Sequence, residues 1–410
     1  SPAEGSRAGW AWRQACSLAR SGVRVRADGV GRYIARFMAH CQRVASLPAW
    51  AQPLTARNDP GPRRRGGSQV PPAFARSTST AHQSALTMEQ LGTVEIQPGG
   101  STLGTFLDAS GLDLSNPRVS ERLVSQFHSS GGLLRVRNAK LTPEELVQFT
   151  ARFGSVENNP GVPTQYLVPG VPEVQVIGNV RDRDGSLRAM FSKEAPLSDT
   201  GIQYDPERRT PVWHTDQLFR TPMPTGSVLY CVTSPPTGGD TCFADMSAAV
   251  ESLPVEIQSI LAKKQVLCSY AHHNAKIQKR TPSYPLLSPE QRAAHPALRR
   301  SIISVHPVTG KESLMCFNSS VCRVLDEDEE VTGEELDRYE LEGEEDTSVG
   351  WLYEHLLPFA TQPAFALRHS WQPGDLVVWD NRSTIHAATA FDSEKHEREM
   401  WRTTFIATES

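Results

Sequence analysis

The 410-residue chain is short of several features, and each absence narrows its class. It holds no run of about 18 apolar residues, so a membrane-spanning helix is not expected. Its seven cysteines are odd in number and form no C-x-x-C pair. That argues against a disulfide framework or a zinc finger, and for reduced thiols in an intracellular setting. No internal repeat is visible, so a repeat array is not expected. Lysine is missing altogether from residues 1–88, where 13 Arg face only Glu4, Asp28 and Asp59. That stretch carries roughly +10 and the remainder roughly −14, within a net charge of −4.

Residues 1–88 are also rich in Ala, Ser, Gly and Pro, and poor in residues that could build a core, which predicts disorder. An Arg-rich, Ser-rich, acid-poor leader fits a mitochondrial or plastid transit peptide. Over-extended coding sequence ahead of a start at Met88 fits equally, and then the expected location is cytoplasmic. A nucleic-acid-binding arm is disfavoured, because no stacking aromatics interleave with the arginines.

The organised part, residues 89–410, mixes short apolar runs with turn residues. SERLVSQFHSSGGLLRVRN (120–138) reads as an amphipathic helix, a Gly-Gly stop and the strand LLRVR. LTPEELVQFTARFG (141–154) reads as a helix capped by Thr142, with Pro143 first, Glu144 and Glu145 at the positive end, and Gly154 ending it. EVQVIGNV (173–180), SVLYCVT (227–233), SIISVHPV (301–308), ALRHSW (366–371) and DLVVWDN (375–381) read as strands between Pro, Gly and Asp turns. Many short strands imply a mainly β domain, a sandwich or barrel. Helices over 244–264 and 351–362 are expected to pack on its outside. LDEDEEVTGEELDRYELEGEED (325–346) holds 13 acids against Arg338 alone, so a solvated loop or disordered insertion is expected. It lacks the ligand spacing of an EF-hand.

PVWHTDQLF (211–219) places His214 and Asp216 two apart in a β-like setting. On a strand they point to the same side. Mononuclear iron(II) is often held by two His and one carboxylate on one face. His386, in GDLVVWDNRSTIHAATAF (374–391), can complete that set, although a core histidine explains it too. Arg398 and Arg402 follow, four apart, on one side of either a helix or a strand. Guanidinium groups near such a centre bind carboxylates bidentately, although surface ion pairs explain them too. Thr241, in PPTGGDTCFADM (235–246), can add a hydroxyl.

In this order and spacing, WHTDQLF (213–219), PPTGGDTCFADMSAA (235–249), VHPVTGKESL (305–314), FATQPAFALRHSWQPGDLVVWDNRSTIH (359–386) and the paired arginines resemble one family. It is the taurine dioxygenase and 2,4-dichlorophenoxyacetate dioxygenase family of iron(II)/2-oxoglutarate-dependent oxygenases. The resemblance spans roughly residues 90–408. It implies a double-stranded β-helix (a cupin-like jelly roll) with flanking helices. It implies Fe(2+) held by His214, Asp216 and His386, and 2-oxoglutarate and O2 as cosubstrates. Thr241 and Arg398 would hold the distal carboxylate of 2-oxoglutarate, and Arg402 the acidic group of the substrate or the cosubstrate. The implied substrate is a small organic anion of sulfonate, sulfate-ester or aryloxy acid type, with no nucleic-acid or membrane partner. Self-association as a homo-oligomer is compatible with this reading. Glu157, in FGSVENNP (153–160), stands where the taurine enzyme has its sulfonate-binding histidine, so taurine itself is not expected. Residues 181–209 lie where the family covers its active site. A γ-butyrobetaine-like hydroxylase would need an aromatic cage for its cation, and none can be assembled. A β-barrel binding protein that kept the fold without the chemistry is the other alternative.

Overall fold

Strand Leu376–Asp380 is apolar up to its final Asp380 because both of its faces are covered. Leu376 and Val378 pack under the helices Pro117–Ser129 and Pro143–Thr150, together with Leu123, Phe127, Leu146 and Phe149. Val377 and Trp379 point the other way, onto Phe243, Leu367 and Trp371. The neighbouring strand Gly226–Thr233 repeats this pattern, with Val228 and Tyr230 outward and Leu229 and Cys231 inward.

In the computed structural model, residues 93–94, 103–159, 162–186, 188, 204–205, 210–280, 282 and 284–407 are described. The basic leader and most of the covering segment at 181–209 lie outside those residues. The large sheet runs in the order Thr93–Val94, Thr105–Asp108, Leu133–Arg137, Leu376–Asp380, Gly226–Thr233, Glu399–Ile406, Val171–Gly178 and Leu167–Val168, and Ser155–Val156 joins Glu399–Ile406. A smaller sheet, Ala366–His369, Thr241–Asp245 and Thr384–Ala388, faces it across the inner layer. Together they form the expected double-stranded β-helix. Behind the smaller sheet, a third core gathers Ile385 and Ala387 with residues of Met246–Ser252, Val255–Leu261 and Thr347–Ala360. The five cysteines among the described residues are free and buried.

Local signals set several boundaries. Thr142 and Glu145 form a reciprocal capping box with Pro143 in the first turn, as the sequence predicts. That helix ends at Thr150 rather than at Gly154, which lies four residues on, beside the Ile406 carbonyl. The single helix expected over 244–264 is two, Met246–Ser252 and Val255–Leu261. They are split before Pro254, which forces the preceding Leu253 out of helical geometry. The strand expected over 301–308 is likewise broken, into Leu298–Ser301 and Ile303–Val305 in different sheets.

The acidic segment overturns its expectation. Residues up to Asp326 belong to strand Val321–Asp326, and Gly333–Glu342 is a helix capped by Thr332 and Glu335 and closed by Gly343 in the left-handed region (φ 59°). Tyr339 and Leu336 dock it onto Leu267, Cys322 and Leu325. The cations missing from the segment come from other elements: Arg323 binds Glu329 and Glu335 at 2.6 Å each, and Lys276 binds Glu345.

Candidate metal centre

His386 reaches the interior because its strand alternates. Ile385 and Ala387 face the helical core, and His386 projects to the opposite face, against Phe243 and Trp379. His214 is brought to it by a single antiparallel bridge, in which each residue's N–H donates to the other's carbonyl at 2.9 Å. The chain does not continue as a strand. It turns through Gln217, whose φ is 49°, so Asp216 meets His214 across a turn and not along a strand as predicted. The loop after Phe317 fixes this turn. Thr215 N–H donates to the Phe317 carbonyl (2.8 Å), and Asn318 Nδ2 donates to the Thr215 carbonyl (2.6 Å).

Three donor atoms converge as a result. Asp216 Oδ1 lies 3.7 Å from His214 Nε2 and 3.8 Å from His386 Nε2. Those distances are too long for hydrogen bonds and short enough for one ion to bridge. His214 Nδ1 lies 3.2 Å from the Val212 carbonyl, which assigns the hydrogen to Nδ1 and leaves the Nε2 lone pair free. Burial lowers His386 to about 3, so it is neutral and able to ligate. Burial alone would raise Asp216, but the Arg402 guanidinium beside it overrides that and holds the carboxyl at about 2, ionised. Two imidazole nitrogens and one carboxylate oxygen suit a divalent first-row metal.

A second two-His, one-Asp cluster has the same composition and different bonding. His128, His306 and Asp380 also lie close together. Val308 and Thr309 N–H both donate to His306 Nδ1 at 3.2 Å, which places its hydrogen on Nε2, 3.0 Å from Asp380 Oδ2. Arg382 covers both Asp380 oxygens, at 2.9 and 2.6 Å. Both oxygens of this carboxylate are already taken by donors, whereas Asp216 keeps Oδ1 open. The cluster is a buried charge network, not a metal centre.

The remaining predicted residues lie around the first cluster. Thr241 is two residues from Phe243 on the same strand face, and Phe243 is the register partner of His386. The Trp371 indole N–H donates to Thr241 Oγ1 at 3.0 Å. Arg398 and Arg402 belong to an extended segment, not a helix. The buried Arg398 donates from Nε to the Gly239 carbonyl at 3.0 Å. Burial lowers it to about 10, so it stays charged near neutrality. Arg402 Nη2 donates to Asp216 Oδ2 at 2.9 Å, and its buried Nε has no partner among the described residues. Glu157 does not stand alone: Arg220 binds it bidentately at 2.6 and 3.1 Å. Sequence reasoning missed Ser227, whose hydroxyl lies 3.3 Å from Asp216 Oδ2, and the role of Trp371. Ser227 opens an apolar run and carries no signal of its own, whereas Trp371 falls inside a motif already singled out.

The chain matches the family model described as "Taurine catabolism dioxygenase TauD, TfdA family" over residues 95–404. It is 32% identical to the alpha-ketoglutarate-dependent 2,4-dichlorophenoxyacetate dioxygenase of Cupriavidus pinatubonensis, over 72% of this chain and 90% of that protein. It is 28% identical to the (S)-phenoxypropionate/alpha-ketoglutarate-dioxygenase of Sphingobium herbicidovorans, over 66% of this chain and 80% of that one. Among solved structures, AAD-2 in complex with Mn(II) and N-oxalylglycine shares the fold, with a TM-score of 0.54 and 23% identity over 77% of this chain and 98% of that one. The chain therefore belongs to the TauD, TfdA family and is a 2-oxoglutarate-dependent dioxygenase.

Proposed function

We propose that His214, Asp216 and His386 hold Fe(II), that Thr241 and Arg398 receive the distal carboxylate of 2-oxoglutarate, and that the substrate is a small organic anion. One observation carries this reading. His214 Nε2, His386 Nε2 and Asp216 Oδ1 face one gap, and no hydrogen bond occupies any of them among the described residues. When bound, iron with 2-oxoglutarate and O2 supplies the oxidising chemistry, which yields succinate, CO2 and a hydroxylated substrate. The protein's own residues bind and orient. Thr241 Oγ1 accepts from Trp371, so its own hydrogen is free to donate to a carboxylate. Arg398 is charged and fixed by the Gly239 carbonyl, which suits it to the same carboxylate.

The substrate class rests on charge and on relatives. Arg402 places a guanidinium charge beside the three donor atoms, and that charge favours an anion over a quaternary ammonium. The relatives named above act on phenoxypropionate and 2,4-dichlorophenoxyacetate, and an alkylsulfatase of Acinetobacter baylyi is 29% identical over 45% of this chain. The test is succinate release in the presence of Fe(II) and O2 across aryloxy acids, sulfate esters and sulfonates, with γ-butyrobetaine included. Release coupled to an anion is expected, and coupling to γ-butyrobetaine alone would refute the anionic class. Anaerobic addition of 2-oxoglutarate to the Fe(II) protein should produce a weak visible band, and its absence would sink the metal assignment.

A further inference from the structure

We propose that Ser227 and Arg402 clamp the outer oxygen of Asp216, so that this carboxylate offers a metal a single oxygen in a fixed orientation. Arg402 is then a positioning residue for the metal centre before it meets any substrate. The inference rests on the reading of Asp216 as a ligand, and it assigns Ser227 a part that its sequence context does not suggest.

The two oxygens of Asp216 have separate surroundings. Oδ1 faces both imidazoles and accepts no hydrogen bond among the described residues. Oδ2 lies 2.9 Å from Arg402 Nη2 and 3.3 Å from Ser227 Oγ, and Ser227 Oγ is itself 3.3 Å from Arg402 Nη2. A charge-assisted bond at 2.9 Å is the strong member of this set. The hydroxyl closes the third side.

The turn makes such a clamp necessary. Asp216 has no strand partner, because the backbone leaves the His214–His386 bridge and turns at once. Ladder pairing cannot orient its carboxylate, so side-chain contacts must. Both clamp residues sit on rigid strands. Ser227 is fully buried, with Trp379 opposite on one side and Thr404 on the other. Arg402 lies opposite Leu229 and Gln175 in the same large sheet. The clamp thus transfers the rigidity of the large sheet to a ligand carried on a turn. A carboxylate free to rotate could close both oxygens on an ion and take up a position that the cosubstrate needs.

The test is Co(II) titration of the full-length, metal-free protein, read by the visible absorption of bound Co(II). His214→Ala serves as the control for the site, and thermal melts check the folding of each variant. Wild type should bind one Co(II) that His214→Ala loses. Ser227→Ala and Arg402→Met should weaken binding about 10–100-fold, the usual cost of losing an outer-shell partner, and alter the band shape. Arg402→Lys should restore part of the affinity, because an ammonium can still reach Oδ2. If Arg402 variants fail to fold, Ser227→Ala carries the test alone. Unchanged affinity and spectrum in Ser227→Ala and the folded Arg402 variants, with wild type binding normally, would overturn the clamp. Equal binding by wild type and His214→Ala would overturn the ligand assignment beneath it.

Discussion

Two histidines on the smaller sheet have different polar surroundings. His369 Nε2 faces a single carboxylate, Asp375 Oδ2 at 3.2 Å, with the Trp371 ring edge-on, and among the described residues no further His, Cys, Asp or Glu joins them. His386, on another strand of that sheet, has its Nε2 turned to the Asp216 gap. Sequence alone cannot tell them apart, because the partners of His386, His214 and Asp216, come from a distant part of the chain. Replacing His214 or Asp216 with Ala should abolish succinate formation under saturating Fe(II) and 2-oxoglutarate, measured against wild type. Arg398→Ala should raise the KM for 2-oxoglutarate about 10–100-fold with a smaller change in kcat, which steady-state kinetics at fixed substrate will check. The proposed trio of His214, Asp216 and His386 is legible in the sequence only through its place among ordered motifs. Ser227 is not legible at all, since a serine opening an apolar strand becomes meaningful only when Asp216 turns toward it.

At the level of elements, signals that act within a few residues are readable and those supplied from a distance are not. The helix at Pro143–Thr150 announces itself through Thr142, Pro143 and Glu145. The helix at Gly333–Glu342 has an equally good cap in Thr332 and Glu335, but the surrounding charge points to solvent until Arg323 and Lys276 are placed beside it. Thr332→Ala should lower the stability of this helix by about 1 kcal/mol. Arg323→Ala should cost about 1–3 kcal/mol, since it strips two carboxylates of a charged donor. Limited proteolysis with mass spectrometry will check both variants. New cuts are expected within 327–346, with the jelly-roll strands still protected.

Across the whole molecule, stability should depend on pH through carboxyls held far below their ordinary range. Burial would raise Asp380, but hydrogen bonds from Arg382 and His306 hold it at about 2. The Thr332 backbone N–H and the Arg323 guanidinium hold Glu335 at about 2. Both pKa values lie below the unfolded values of about 3.9 and 4.3. Their stabilisation is therefore fully present above about pH 5 and is lost as pH falls toward 2. Urea midpoints of the metal-free protein should be level near neutrality and decline below about pH 4, with a shallower decline in Asp380→Asn. The bridge between His214 and His386 has a consequence for synthesis. The two histidines are joined directly, backbone to backbone, yet most of the domain is translated between them. A nascent chain that has emerged only as far as Asp380 carries His214 and Asp216 without their partner. The ribosome therefore finishes nearly the whole domain before His386 can meet His214 and Asp216.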